Sequence, residues 1–277
     1  MIYDLKTGQY EEDKQFGGGA LDFLYNKRLG RLLLKAAVNP AASRLAGCYY
    51  SSALSRGKIR KMIEEYNIDM RLYEEKEYKN FNEFFIRRRK HIDIEEGFVS
   101  PADSLLSVYK ISDDLMVPIK GSSYDLTELV GGKTDVSDLD GGLLLVFRLR
   151  MNDYHRYIFP FAGKVTDSYE IPGVLHTVSS ASSRYKIYKE NQRRVSVLES
   201  EDYGKVIAIE VGALLVGRIV DGGKKVFDKG DEKGYFETGG STIVYMTGRD
   251  RLKLREVIID KLDNEIKLCC GQRIEAV

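Results

Sequence analysis

Three histidines, His91, His155 and His176, are the chain's complete set of side chains whose ordinary pKa suits a neutral-range base. One serine, Ser241, stands directly behind two glycines in FETGGSTIVY. His155 lies in FRLRMNDYHRYIFPFAG, straight after a run typical of a buried strand, with Asp153 and Arg156 beside it. His176, in IPGVLHTVSSAS, follows a Pro-Gly turn, whereas His91 in RRRKHIDIEE reads as a solvated residue between elements. Asp103 in SPADSLLSVYKI immediately precedes a strand pattern. An acid, one or two histidines and a serine behind glycine are the parts of a nucleophilic triad. Each also has a structural alternative: histidines at strand ends, a turn aspartate bonding its own backbone, and a Gly-Gly turn or bulge entering a strand. A G-x-S-x-G elbow is absent and no helix pattern follows Ser241, which argues against a serine hydrolase.

The elements that must position these residues fall in two textures. LDFLYNKRLGRLLLKAAV places Leu21, Leu24, Tyr25, Leu29, Leu32, Leu33 and Ala36 at helical spacing, and the pattern predicts an amphipathic helix ended by Asn39-Pro40. A second helix is predicted at KIRKMIEEYNI, with Ile59, Met62, Ile63 and Tyr66 on one face. Residues 14–63 carry ten Lys or Arg and one acid, Asp22. Basic, leucine-rich helices of this kind suit either an anionic membrane interface or a cover over the main domain. From about residue 98, β-rich runs follow one another: LLSVYKI, GLLLVFRLR, GKVTDSYEI, VSVLES, KVIAIEVGALLVGRIV, STIVYM and REVIIDKL. Too little chain separates them for helical crossovers, so a mostly antiparallel β domain is predicted and a doubly wound parallel sheet is not. The fold class expected is α+β, with a helical region over 1–80 and a β-rich domain over 81–277.

Composition sets limits. Forty-three basic and 42 acidic side chains leave a net charge of +1, so no overall field argues for nucleic acid. Cys48, Cys269 and Cys270 suit free thiols in a reducing compartment and neither a disulfide framework nor a metal site. The acidic start lacks the features of a signal peptide, and no apolar run approaches the roughly 20 residues needed to span a bilayer. A soluble or peripheral protein is expected.

The stretches FNEFFIRRR, SPADS, FRLRMNDYHRY, GVLHTV, YKENQRRV, IEVGALLVGRI and KGDEKGYFETGGST, in register over residues 81–246, resemble the phosphatidylserine decarboxylase proenzymes. The LGRLLLKAAV region is similar to that family's membrane-associating helices, and parts of the β domain look lipoyl-like. The resemblance implies that the bond between Gly240 and Ser241 is cut by Ser241 itself, giving a β chain of residues 1–240 and an α chain of 241–277. Ser241 would become a covalent pyruvoyl group, the cofactor that accepts electrons as phosphatidylserine loses carbon dioxide and becomes phosphatidylethanolamine. His155 inherits the family's role in decarboxylation, and Asp103 that of the acid orienting a protonated histidine. Many relatives read YHRxH, with the second histidine as base for self-cleavage; here that position is Ile158. His176 is the substitute on this reading, with His155 the other choice. Gln192 and HTVSS also depart from the usual pattern. The implied location is the cytoplasmic face of the cell membrane, with phosphatidylserine and an anionic surface as partners and a homodimer left open. Two alternatives remain in view: a pyruvoyl-dependent decarboxylase of a soluble amino acid or another serine-headed lipid, and a non-enzymatic lipoyl-like binding module.

Overall fold

The computed structural model describes residues 1–13, 23, 24, 27, 30, 34, 38–119, 122–176, 187–213, 218–239 and 241–276. Its strands are, in chain order, β1 (Ile2–Asp4), β2 (Gln9–Glu11), β3 (Ser104–Lys110), β4 (Met116–Ile119), β5 (Ser122–Asp125), β6 (Leu143–Leu149), β7 (Arg156–Ile158), β8 (Gly163–Ile171), β9 (Arg193–Ser200), β10 (Gly204–Gly212), β11 (Ile219–Asp221), β12 (Val226–Phe227), β13 (Glu232–Phe236), β14 (Ser241–Thr247) and β15 (Glu265–Leu268). Ten of them form one sheet in the order β12-β8-β9-β10-β14-β6-β3-β15-β1-β2, and β11-β13-β7 form a second. Every pairing in these sheets is antiparallel except that of β1 with β15. The mostly antiparallel architecture read from the sequence is the one observed.

β14 is the pivot of the large sheet, flanked by β10 and β6, and all seven of its residues are buried. Its odd-numbered side chains, Ile243 and Tyr245, join Phe147, Leu149, Ala208, Tyr157 and Phe236 in a core that lies between the two sheets. Its even-numbered ones, Val244 and Met246, join Leu144, Val146, Ile207, Ile209 and Val211 on the opposite face. There the hairpin β4-β5 and a helical turn, Leu126–Leu129, cover them. Cover on both faces explains why GLLLVFRLR and KVIAIEVG are nearly continuous apolar runs instead of alternating ones.

Helices at the N-terminal end are α1 (Pro40–Tyr50), α2 (Gly57–Tyr66) and α3 (Phe81–Phe85). The run expected as a helix over 21–38 lies largely outside the described residues. Its expected stop at Asn39-Pro40 coincides with a turn at Val38 and a bend at Asn39, and Pro40 opens the next helix, α1, where a fixed φ and a missing N–H are both tolerated. α2 ends on Asn67 in the left-handed region at φ 49°. Met62 is buried, and Ile59, Ile63 and Tyr66 pack beside it against Phe81, Phe84 and Phe85, so the apolar face of α2 meets α3. α3 is capped by Asn80, whose side chain accepts from the Glu83 amide at 2.9 Å. Its phenylalanines then face inward at spacings of three and four.

Two expectations need correction. REVIIDKL is not a strand: Glu256–Ile259 form a helical turn and the strand follows at Glu265–Leu268. Three successive apolar residues fit either state, and the fold decides by burying Ile258 while leaving Ile259 exposed. The region 1–80 is not helical throughout, because β1 and β2 extend the large sheet through β15.

Candidate active site

Ser241 is the first residue of β14, paired with Gly212 on one side and Leu149 on the other, and is fully buried. The small sheet lies over it. His155 precedes β7, and its carbonyl accepts from the Phe236 amide at the end of β13. That bond ties the histidine to the strand that leads into Gly239 and Ser241. The outcome is a contact of 3.3 Å between Ser241 Oγ and His155 Nδ1.

The protonation state of this imidazole follows from its other nitrogen. Nε2 lies 2.9 Å from the carbonyl oxygen of Arg150, which can only accept, so Nε2 carries the hydrogen. Nδ1 is therefore left with a free lone pair aimed at the serine hydroxyl. The ring is fully buried and stacks on Phe85 at a centroid distance of 4.0 Å and an interplanar angle of 25°. Burial, helped by the nearby Arg87 cation, lowers its pKa to about 3. It is a neutral base held in one orientation.

The approach to Ser241 is also fixed. Thr238 donates from its amide at 3.0 Å and its hydroxyl at 2.8 Å to the same Asn82 Oδ1 on α3. Gly239 has φ +142°, which side-chain-bearing residues rarely adopt. Gly240 lies outside the described residues. At Gly239 the chain takes a bend that favours glycine over residues with a side chain.

Asp103 is not turned to a histidine. It forms a two-pronged ion pair with Arg89, one contact at 3.0 Å, and accepts the Cys270 amide at 2.9 Å. Burial opposes the charge on Arg89, but Asp103 outweighs it and raises the guanidinium pKa. Ile158, at the position of the second histidine in many relatives of the resembled family, is buried with Val99 and Cys270. His176 is buried too, and burial lowers its pKa. Its backbone is held by Asn191, which accepts from the His176 amide at 3.0 Å and donates to its carbonyl at 2.8 Å. The same amide group donates at 2.7 Å to the carbonyl of Gly212, the β10 partner of Ser241. His176 is thus one side chain removed from the serine's neighbour. His91 is exposed and 2.9 Å from Asp93.

The site also contains residues that no sequence expectation singled out. Phe85 stacks on the imidazole, the Arg150 carbonyl sets its tautomer, Asn82 anchors the approach loop and Asn191 ties two segments together. The apolar FNEFF run and the polar Asn of YKENQRRV were visible, but their partners lie 70 or more positions away or across a strand pair.

A model of the phosphatidylserine decarboxylase family matches residues 81–276. The chain is 45% identical over 280 residues to phosphatidylserine decarboxylase proenzyme 2 of Clostridium acetobutylicum, covering 98% of this chain and 96% of that one. It is 34% identical to the phosphatidylserine decarboxylase proenzyme of Clostridium perfringens, with 99% and 98% covered. The proenzyme of Fusobacterium nucleatum is likewise 34% identical, over 95% of this chain and 92% of that one.

Proposed function

The chain belongs to the phosphatidylserine decarboxylase family, and from that premise we propose how its own residues prepare it for the reaction. It is a decarboxylase of phosphatidylserine, made as a proenzyme. The reading that a soluble amino acid is the substrate is not favoured by the relatives' names, and a non-enzymatic module does not explain a neutral histidine aimed at a buried serine.

His155 Nδ1 takes the proton of the Ser241 hydroxyl, and Oγ attacks the carbonyl carbon of Gly240. The C–N bond breaks, the amine of residue 241 takes up a proton, and an ester joins Gly240 to Ser241 Oγ. Loss of the α-proton of residue 241 then expels the Gly240 carboxylate. The remaining unsaturated residue adds water and releases ammonia, leaving a pyruvoyl group at the head of the chain 241–277. The site fits such a group: the position is buried, the imidazole beside it is neutral, and the preceding Gly239 holds a bend open to glycine. Once present, that carbonyl supplies the electron sink for loss of carbon dioxide. His155 Nδ1, 3.3 Å from the Ser241 Oγ position, relays a proton to the substrate's α-carbon without storing it, since burial keeps the resting ring neutral. Asp103, turned to Arg89 and the Cys270 amide, supports the site from outside it.

The observation that carries this reading is the 3.3 Å contact of Ser241 Oγ with an Nδ1 kept unprotonated by the Arg150 carbonyl. It supports His155, rather than His176, as the base for self-cleavage. No helix among the described residues is long and apolar enough to cross a membrane. The basic residues of 14–63 support peripheral attachment to an anionic membrane on the cytoplasmic side. The test is intact-mass analysis and denaturing electrophoresis of the wild type and Ser241→Ala. The wild type should yield a fragment 241–277 carrying the mass of a ketone in place of serine, and Ser241→Ala should remain whole. An uncut wild-type chain with an ordinary serine sinks the reading.

A further inference from the structure

A cavity of about 280 Å³ opens between α2 and α3. Its wall is apolar, made by Tyr50, Met62, Phe81 and Met151, and its rim carries two exposed lysines, Lys58 and Lys61. One acid, Glu65, also borders it, so the rim is net cationic. Among the described residues neither lysine is in an ion pair; the contact of Lys58 is with the Tyr49 ring at 5.9 Å. Two such ammonium groups on one side of an apolar hollow match a molecule that is anionic at one point and greasy beside it.

The cavity adjoins the site described above. Phe81 lies 6.2 Å from Phe85, which stacks on His155. Met151 belongs to both: its side chain lines the cavity, and its carbonyl is among those facing the His155 ring.

We propose that this cavity seats the phosphodiester and the adjoining glycerol and first acyl carbons of the lipid substrate, with Lys58 and Lys61 holding the phosphate oxygens. The proposal rests on the decarboxylase reading. Charge complementarity at the rim, the apolar wall and the shared residue Met151 favour this occupant over a second copy of the chain. The lysines act by binding alone, so they should govern KM and leave kcat and self-cleavage untouched.

The experiment compares processed wild type, K58A/K61A and K58R/K61R on dihexanoyl phosphatidylserine kept below its micelle concentration, following carbon dioxide release. It is repeated on phosphatidylserine in phosphatidylcholine vesicles. The alanine pair should show a KM raised about tenfold on the monomeric lipid, with kcat within about twofold, and the arginine pair should stay within about threefold of wild type. Unchanged KM on the monomeric lipid with weaker turnover on vesicles alone would overturn the proposal, because the lysines would then be attracting only the bilayer. Equal KM increases in both variants would also overturn it, pointing to a packing defect of α2. A wild type that cleaves itself but releases no carbon dioxide from either form would remove the decarboxylase reading and this proposal with it. A wild type that does turn over confines any failure to the cavity.

Discussion

The pH response of self-cleavage tests the state of His155 most directly. The buried ring has a pKa near 3 in place of the ordinary 6.5, chiefly because burial disfavours the charged form. At pH 5 a solvated imidazole would be neutral in only about 3% of molecules, whereas one with the lower value would be neutral in about 99%. With His155 as base, the first-order rate of cleavage should be nearly the same at pH 5 and pH 8; with an ordinary imidazole it should fall about thirtyfold. The same shift has a stability consequence of fixed sign. As pH falls below 6.5, the unfolded chain takes up the proton before the folded one does, so stability is complete above that value and declines towards pH 3. At about 1.36 kcal/mol per pH unit the loss at pH 5 is about 2 kcal/mol, and the limit for this fully buried ring is about 5 kcal/mol. Proenzyme made by cell-free translation and quenched in detergent at timed intervals gives the rates, and urea unfolding of Ser241→Ala at pH 7 and 5 gives the stabilities. An inflection in cleavage rate near pH 6.5, in protein that urea unfolding reports as still folded, would refute the assignment.

Further outcomes follow from other contacts. His176→Ala should leave the cleavage rate within about threefold of wild type, measured by the same time course; complete loss in a folded variant would return the base to His176. Asn82→Ala removes the single acceptor shared by the Thr238 amide and hydroxyl, and should slow cleavage about tenfold, a loss of about 1.4 kcal/mol, while Asn82→Asp restores it. Lys233→Met strands the fully buried Glu210 carboxylate, 2.7 Å from the Lys233 ammonium, and should cost about 3–5 kcal/mol in urea unfolding; adding Glu210→Leu should recover most of it.

The sheet was readable because its central strands are long, β-branched and punctuated by glycine and acidic turns, and because a pattern of that density leaves no room for crossover helices. The Glu256–Ile259 turn was not readable, since VII carries no period of its own and the fold's burial of Ile258 settled it. β1 and β2 escaped notice for a similar reason: three-residue strands have too few side chains to alternate, and β15, the strand that ties β1 into the sheet, lies at the other end of the chain. At the site, residue types identified Ser241, His155 and His176 as chemically able, but choosing between the histidines required a distance and a tautomer. Both depend on a carbonyl five residues earlier and on a phenylalanine 70 positions earlier. Asp103 shows the limit most plainly, because SPADS carries no trace of Arg89 as its partner.

The position of β14 in mid-sheet has a consequence for any break just before Ser241. Both of its neighbours, β10 and β6, belong to the longer piece, and β15 from the shorter piece is held in turn between β3 and β1. The short polypeptide would be woven through the long one at two places, with buried side chains on either face of the first. Scission would then alter the covalent formula and leave the architecture standing. The two products should copurify through any native column, and only a denaturant should part them.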